Sequence, residues 1–269
     1  MDITGKTKIM FILADPVAHV VGSAIFNKYF AEAGLNVAIS PLHVAPSDLA
    51  TAVAAIRTFR NLAGFGVTIP HKIDIRNFID EETQQAKLVG SVNFVRRMAD
   101  GRLIGDNVDG AGFVDGLASS GISLKGKRVL QIGAGGAGRS IAFSIAAAGA
   151  AALGLYNRTE AKAAGLIQAV SATYPACETF IAGADPSGFD VIVNTTSLGL
   201  RETDPLPCDT SRFQSEMVVA EVIMTPAMTP ILQAAEKAGC KISLGRSMLE
   251  AQIERVRQFM QLDTKAESH

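Results

Sequence analysis

Gly133-Ala134-Gly135-Gly136-Ala137-Gly138 sets glycines in a GxGxxG spacing, just after the apolar run Val129–Ile132 and at the start of a helical stretch. In that position the spacing suits a dinucleotide. The first glycine permits a tight turn, the second lets a pyrophosphate approach the backbone, and the third lets the helix pack closely on the strand. The helix start adds N–H donors and the positive end of its dipole. The following strand ends Leu155-Tyr156-Asn157-Arg158-Thr159. An NAD enzyme usually sets a carboxylate there, ~20 positions after the glycines, to hold the ribose 2′-hydroxyl. No carboxylate is present here. Arg158 instead offers a planar fork suited to a 2′-phosphate, Thr159 adds a hydroxyl and Lys162, one helical turn on, more positive charge. NADP is therefore the expected cofactor, and hydride transfer the chemistry it brings.

The elements that must hold this loop alternate short β-rich runs with longer alanine-rich helical ones, as βαβ units around a mostly parallel sheet do. In the first half the patterning predicts strands at Lys8–Ala14, Val37–Val44, Gly64–Ile69, Val92–Met98 and Arg102–Asp106. It predicts helices at Ser23–Ala33, Ser47–Leu62, Glu81–Leu88 and Asp109–Ser119. Asp100-Gly101 is a hairpin signal, so the first sheet should be mixed, and Pro46-Ser47-Asp48 supplies capping groups for the second helix. The polar stretch Ser120–Lys127 reads as a domain boundary ahead of a fresh strand, Arg128–Ile132. After the glycine turn come a helix, the strand Ala152–Tyr156, a helix from Thr159, and strands at Asp190–Asn194 and Met217–Val222. The amphipathic C-terminal helix Met248–Leu262 is expected to return to the first domain, and the tail Asp263–His269 to fray. The fold class is thus α/β with two domains. A mixed-sheet substrate domain spans residues 1–105 with the C-terminal helix at 245–269, and a Rossmann domain spans residues 106–244.

Three segments of the first domain carry a resemblance. Gly66-Val67-Thr68-Ile69-Pro70-His71-Lys72 resembles the NVTIPHK signature of the shikimate dehydrogenase family, Gly90-Ser91-Val92-Asn93 its GAVNT segment, and Gly105-Asp106-Asn107-Val108-Asp109-Gly110 its GxNTDG. Downstream, Asn157-Arg158-Thr159 is similar to the family's NRT motif, Asn194-Thr195-Thr196-Ser197-Leu198-Gly199 to its NATSxG turn, and Met248-Leu249-Glu250-Ala251-Gln252 to its MLxxQ helix. Single pieces are weak signals, but the ordered set covers almost the whole chain and is specific. The resemblance implies an NADP-dependent oxidoreductase acting on a ring hydroxyl of shikimate or a related alicyclic hydroxy acid, within aromatic amino-acid biosynthesis. It implies Lys72 and Asp109 as the catalytic pair, with Thr68, Asn93 and Gln252 on substrate hydroxyls. It also implies Gly133, Gly135, Gly136, Ala137, Gly138, Asn157, Arg158, Thr159, Lys162, Thr195 and Ser197 on the cofactor. An ammonium beside a carboxylate can stabilise developing alkoxide charge and relay a proton; which member is the formal base stays open, since a coupled pair titrates jointly. His71, next to Lys72, is expected to be a local structural histidine, because adjacent residues usually point apart.

The chain departs from the family at the substrate end. Family members bind the substrate carboxylate with two serines in a PIxHSxSPxxHN segment; here Pro16–Asn27 has Val20 and Gly22 at those positions. Gly66 stands where asparagine is usual, Phe94 and Val108 where threonine is, and Met224 where tyrosine is. Polar contacts are lost while the catalytic pair and the cofactor loop remain. Ser23 is the expected substitute donor, with His19 behind it, and Gly66 and Gly22 are expected to enlarge the pocket.

Composition narrows the remaining classes. With 269 residues, 48% hydrophobic and 19% charged, the chain is expected to be globular, and a net charge of −1 offers nothing for nucleic acid or an anionic membrane. No apolar run approaches the ~18 residues of a membrane span. Three cysteines without CxxC spacing and four scattered histidines argue against a disulfide framework or a metal site, and fit the cytoplasm. The expected partner is a small alicyclic hydroxy acid, the expected state a monomer or homodimer, and the active cleft is expected between the domains. A quinate-type dehydrogenase is disfavoured by Arg158. A non-catalytic metabolite sensor is disfavoured because binding alone would not need both Lys72 and Asp109.

Overall fold

The computed structural model of the chain describes residues 2–18 and 20–262; His19 and the tail Asp263–His269, on which two expectations rest, lie outside the described residues. The chain divides into two compact units, Met1–Val108 with Gln252–His269, and Asp109–Ala251.

The first unit runs β1 (Lys8–Ala14), α1 (Gly22–Glu32), β2 (Val37–His43), α2 (Leu49–Thr58), β3 (Leu62–Val67), β4 (Glu81–Glu82), α3 (Gln84–Val89), β5 (Phe94–Arg97) and β6 (Leu103–Asp106). Its sheet has the order β2-β1-β3-β5-β6-β4. β1, β2 and β3 are parallel, whereas β5 runs antiparallel to both β3 and β6, so the sheet is mixed. The hairpin at Asp100-Gly101 is the cause, with Gly101 at φ 92. Leu49, Val53 and Ile56 of α2 recur on one helical face and are buried in a cluster with Leu13, Phe65 and Val95. Each such burial is worth about 1.5–3 kcal/mol.

Two helix ends differ from the sequence reading for local reasons. Pro46–Asp48 forms a separate 3-10 turn and no side chain there caps α2, which stops at Thr58 as Phe59 turns extended and Leu62 enters the sheet. Glu81–Glu82 pairs with β6 as a short strand, and Thr83 then caps α3 by accepting from the Ala86 N–H.

The second unit runs α4 (Asp109–Ser119), β7 (Arg128–Ile132), α5 (Gly136–Ala147), β8 (Ala152–Tyr156), α6 (Glu160–Thr173), β9 (Glu178–Ile181), β10 (Val191–Asn194), β11 (Val218–Glu221), α7 (Pro230–Lys237), β12 (Lys241–Ser243) and the start of α8 (Gly245–Met260). All its strands are parallel, in the order β12-β11-β10-β7-β8-β9. Counted from β7 this is the doubly wound dinucleotide-binding order, with the reversal between β7 and β10. Ser120–Lys127 is not a boundary between units. It lies inside this one because α4 packs on α5, with the Gly110 N–H donating to Ser140 Oγ at 2.8 Å. β9, α7 and β12 extend the unit beyond the elements read from the sequence.

The last part of α8 belongs to the first unit. There the Tyr29 hydroxyl donates to Glu254 (2.8 Å), and Arg96 donates to the Phe259 carbonyl (3.1 Å) while lying over its ring.

Candidate active site

In the second unit the glycine turn sits at the carboxyl end of β7, at the switch point. Gly133 has φ 109, and a Cβ on it would lie 2.6 Å from Thr195 Oγ1. A Cβ on Gly138 would lie 2.6 Å from the Gly133 carbonyl oxygen and 2.7 Å from Thr195 Oγ1, so this glycine allows α5 to close on the turn. Gly135 differs: a Cβ there meets nothing within 4 Å, which leaves its backbone open at the helix start, followed by Gly136 and Ala137 in the first turn. Two packed glycines and one open one form the cradle a pyrophosphate needs. Because neither close atom at Gly138 is the far end of a flexible side chain, Gly138→Ala should overpack this contact by about 1–3 kcal/mol. A lower melting temperature and weaker NADPH binding are the expected outcomes; unchanged values for both would show that the contact has slack.

Asn157, at the end of β8, ties the loops together. Its Oδ1 accepts from the Ala134 N–H at 3.1 Å and its Nδ2 donates to the Thr159 carbonyl at 2.8 Å. Arg158, Thr159 and Lys162 are exposed beside it, and the Thr159 hydroxyl caps nothing. This open, basic edge fits a 2′-phosphate. From β10, Thr195 Oγ1 donates to the Ile132 carbonyl at 2.8 Å, which joins the two strand ends that flank the switch point, and Ser197 is exposed on the same turn.

The first unit gathers its candidates at the end of the sheet where β1, β3 and β6 finish. Thr68 donates its N–H to the Leu13 carbonyl (3.0 Å), and the His71 N–H donates to the Thr68 carbonyl (2.8 Å). Lys72 is half-buried, and its carbonyl accepts from the Val92 N–H at 2.8 Å. Asn93, 3% exposed, bonds through its backbone to Val67 and Asp106, and its Oδ1 accepts from the Val108 N–H at 3.0 Å. The Lys72 segment, Asn93 and the residue preceding Asp109 are thus linked by short bonds. Asp109 itself opens α4 and is buried, as is Gln252 on α8. Ser23 is the second residue of α1, half-buried, and its hydroxyl makes no hydrogen bond among the described residues. His71 is structural, its Nε2 donating to the Val44 carbonyl at 2.7 Å in a buried setting.

The expectation that Gly66 widens the pocket is overturned. A Cβ on Gly66 would lie 3.2 Å from Phe94 Cε1, so the space asparagine would take is filled by the Phe94 ring, which is buried against Phe26 at 5.8 Å. The glycine makes room for a neighbour and not for a ligand.

Two buried polar residues, one at the glycine turn and one at the end of β11, were missed from sequence. Gln131 Nε2 donates to the carbonyls of both Gly133 (2.9 Å) and Gly138 (2.8 Å), which fixes the turn from below. Glu221 is buried at the end of β11, where burial pushes its pKa up. Each is a polar residue inside an apolar run, and that was the available signal. The cysteines offer no nucleophile: all three are buried, and burial pushes the Cys208 thiol up to about 12. Among the described residues no cluster of His, Cys, Asp and Glu is arranged to hold a metal, and no helix is long and apolar enough to cross a membrane.

Comparison with known proteins adds three findings. Residues 12–95 match the family described as shikimate dehydrogenase substrate binding domain. The chain is 38% identical over 260 residues to the NADP(+) shikimate dehydrogenase of Geobacter metallireducens, covering 94% of this chain and 90% of that protein. Among solved structures, it is similar to a shikimate dehydrogenase in complex with NADP+ (30% identity, 96% and 91% covered, TM-score 0.88). It is also similar to a ligand-free 5-ketofructose reductase of Gluconobacter (31% identity, 97% and 96% covered, TM-score 0.84).

Proposed function

Because the chain belongs to the shikimate dehydrogenase family, we propose that it is an NADP-dependent dehydrogenase that moves a hydride between the nicotinamide and a ring hydroxyl of shikimate or a related alicyclic hydroxy acid. The observation that carries the cofactor half is the cradle at Gly133–Gly138 with exposed Arg158 where an NAD enzyme has a carboxylate. Gly133, Gly135, Gly136, Ala137 and Gly138 hold the pyrophosphate, Asn157 braces the loop, Arg158, Thr159 and Lys162 take the 2′-phosphate, and Thr195 and Ser197 meet the nicotinamide end. Bound NADP+ supplies the hydride acceptor. Lys72 and Asp109 flank the reacting hydroxyl, the pair taking up its proton while the ammonium steadies the alkoxide charge. Thr68, Asn93 and Gln252 orient the remaining hydroxyls, and Ser23, with a free hydroxyl at the start of α1, takes a carboxylate oxygen.

One set of residues favours a second reading, a substrate without a carboxylate, of the ketose kind that the Gluconobacter relative reduces. Val20 and Gly22 offer no side-chain donors, and the Phe94 ring occupies the space beside Gly66. Turnover of shikimate, quinate and 5-ketofructose with NADP(H) and NAD(H) separates the two readings. Turnover of none of them, with NADPH still bound, would favour a sensor and overturn both. Three buried free thiols support a cytoplasmic location, and a monomer or homodimer is expected.

Cofactor choice has its own test. Arg158→Ala should raise the KM for NADP+ roughly tenfold to a hundredfold, the worth of a charge-assisted bond to phosphate, and change that for NAD+ far less. Equal losses for both cofactors would show that Arg158 does not read the 2′-phosphate.

A further inference from the structure

The carboxylate of Glu221 takes no part in the chemistry described so far, yet it is 1% exposed at the end of β11. Its oxygens are fully engaged. Oε2 accepts from Asn194 Nδ2 at 2.9 Å and Thr229 Oγ1 at 3.0 Å, and Oε1 accepts from the N–H groups of Val222 at 2.8 Å and Ile223 at 3.1 Å. Burying a carboxylate is unfavourable unless donors surround it, so four donors aimed at one group form a built arrangement.

With two backbone N–H groups on one oxygen and Asn194 and Thr229 on the other, Glu221 acts as the acceptor, and together with the Leu198 carbonyl and the Thr196 N–H it sets which end of the Asn194 amide faces it. With Nδ2 turned toward Glu221, and also reaching the Leu198 carbonyl at 3.0 Å, Oδ1 is left to accept from the Thr196 N–H (3.1 Å) and Oγ1 (2.7 Å). Thr196 Oγ1 in turn accepts from the Leu198 N–H at 3.0 Å. These bonds span the turn from Asn194 to Leu198, which carries Thr195 and Ser197.

We infer that Glu221 is a positioning residue for the cofactor: by orienting the Asn194 amide it holds the Asn194–Leu198 turn in the shape that meets NADP(H). The inference rests on the assignment of that turn to the cofactor in the proposed function. A glutamine at this site turns its NH2 either to the Val222 and Ile223 N–H groups or to Asn194 Nδ2, all of them donors, so one anchor of the Asn194 amide is lost and the turn loosens.

Fluorescence titration of the intact protein with NADPH tests it. Glu221→Gln should raise the Kd for NADPH roughly tenfold to a hundredfold, as expected for losing a buried bond to a charged group. Adding Asn194→Asp to Glu221→Gln returns an acceptor to face the new NH2, and should recover part of the lost affinity. That recovery separates positioning from general destabilisation. If Glu221→Gln does not fold, Thr229→Val keeps the carboxylate, removes one donor, and should weaken NADPH binding by a smaller factor. NADPH affinity equal to wild type in a folded Glu221→Gln or Thr229→Val variant overturns the inference. A wild-type chain that does not bind NADPH overturns the cofactor assignment itself, and this inference with it.

Discussion

Lys72→Ala is expected to lower kcat by about two to four powers of ten, the usual contribution of a positioned proton-transfer group, while NADPH still binds. The two effects separate because Lys72 lies in the first unit and the glycine cradle in the second. Truncating the side chain also keeps the bond from the Val92 N–H to the Lys72 carbonyl, so the local backbone has its anchor in either variant. Asp109 needs a gentler replacement. It sits in the first turn of α4, where a negative charge is favoured by the helix dipole by about 0.3–1 kcal/mol. Asp109→Asn loses that charge as alanine would but keeps the side-chain size and an acceptor oxygen at the helix start, so it is the cleaner probe, and a comparable fall in kcat is expected from it. If the two act as a unit, the double variant should be little worse than either single one. Near-normal kcat for Lys72→Ala on the substrate that the enzyme turns over best would refute this mechanism.

The second large effect concerns shikimate. Two hydroxyls are missing at Val20 and Gly22, and each lost hydrogen bond to a charged group is worth roughly 1.5–3 kcal/mol. Together they should weaken transition-state binding of shikimate by about two to four powers of ten. Wild-type oxidation of shikimate is expected to be measurable but limited by KM, and Val20→Ser with Gly22→Ser should raise kcat/KM by a large part of that factor. Gly22 opens α1 without a positive φ, so a serine there requires no unusual backbone. A wild-type KM for shikimate in the range usual for the family would sink the idea and show that Ser23 alone makes good the loss of both hydroxyls.

The parts of the site that were legible in the sequence are those whose chemistry dictates spacing. The glycines of Gly133–Gly138 must stand where they do for a backbone to meet a pyrophosphate, and the strand before them, Arg128–Ile132, is apolar because it is buried on both faces of a parallel sheet. Strand Lys8–Ala14 and helix Asp109–Ser119 were readable at both ends for similar reasons of strong local pattern. β12 was not, because three residues carry too little periodicity and exist as a strand only through pairing with β11. α7 was readable in principle: Thr229-Pro230 opens it, Gly239 follows it, and Ile231, Leu232 and Ala235 share one face. Gln131 and Glu221 escaped for different reasons: the partners of Gln131 lie within the glycine turn itself, where the glycines carry the whole signal, while Glu221 is tied to Asn194, 27 residues away, and no local pattern encodes that pairing.

The contact between Gly66 and Phe94 also constrains history. With the Phe94 ring 3.2 Å from where a Gly66 Cβ would sit, a side chain at 66 makes the ring give way by a few tenths of an ångström, and an asparagine there is accommodated most easily once Phe94 has been replaced by something smaller. The reverse step, shrinking Phe94 while Gly66 remains, leaves a gap beside Phe26 and Ile12 that a later side chain at 66 can fill. Drift between this pocket and one with a polar residue at 66 therefore has a preferred order of substitutions, and laboratory evolution of the enzyme should recover changes at 94 before changes at 66.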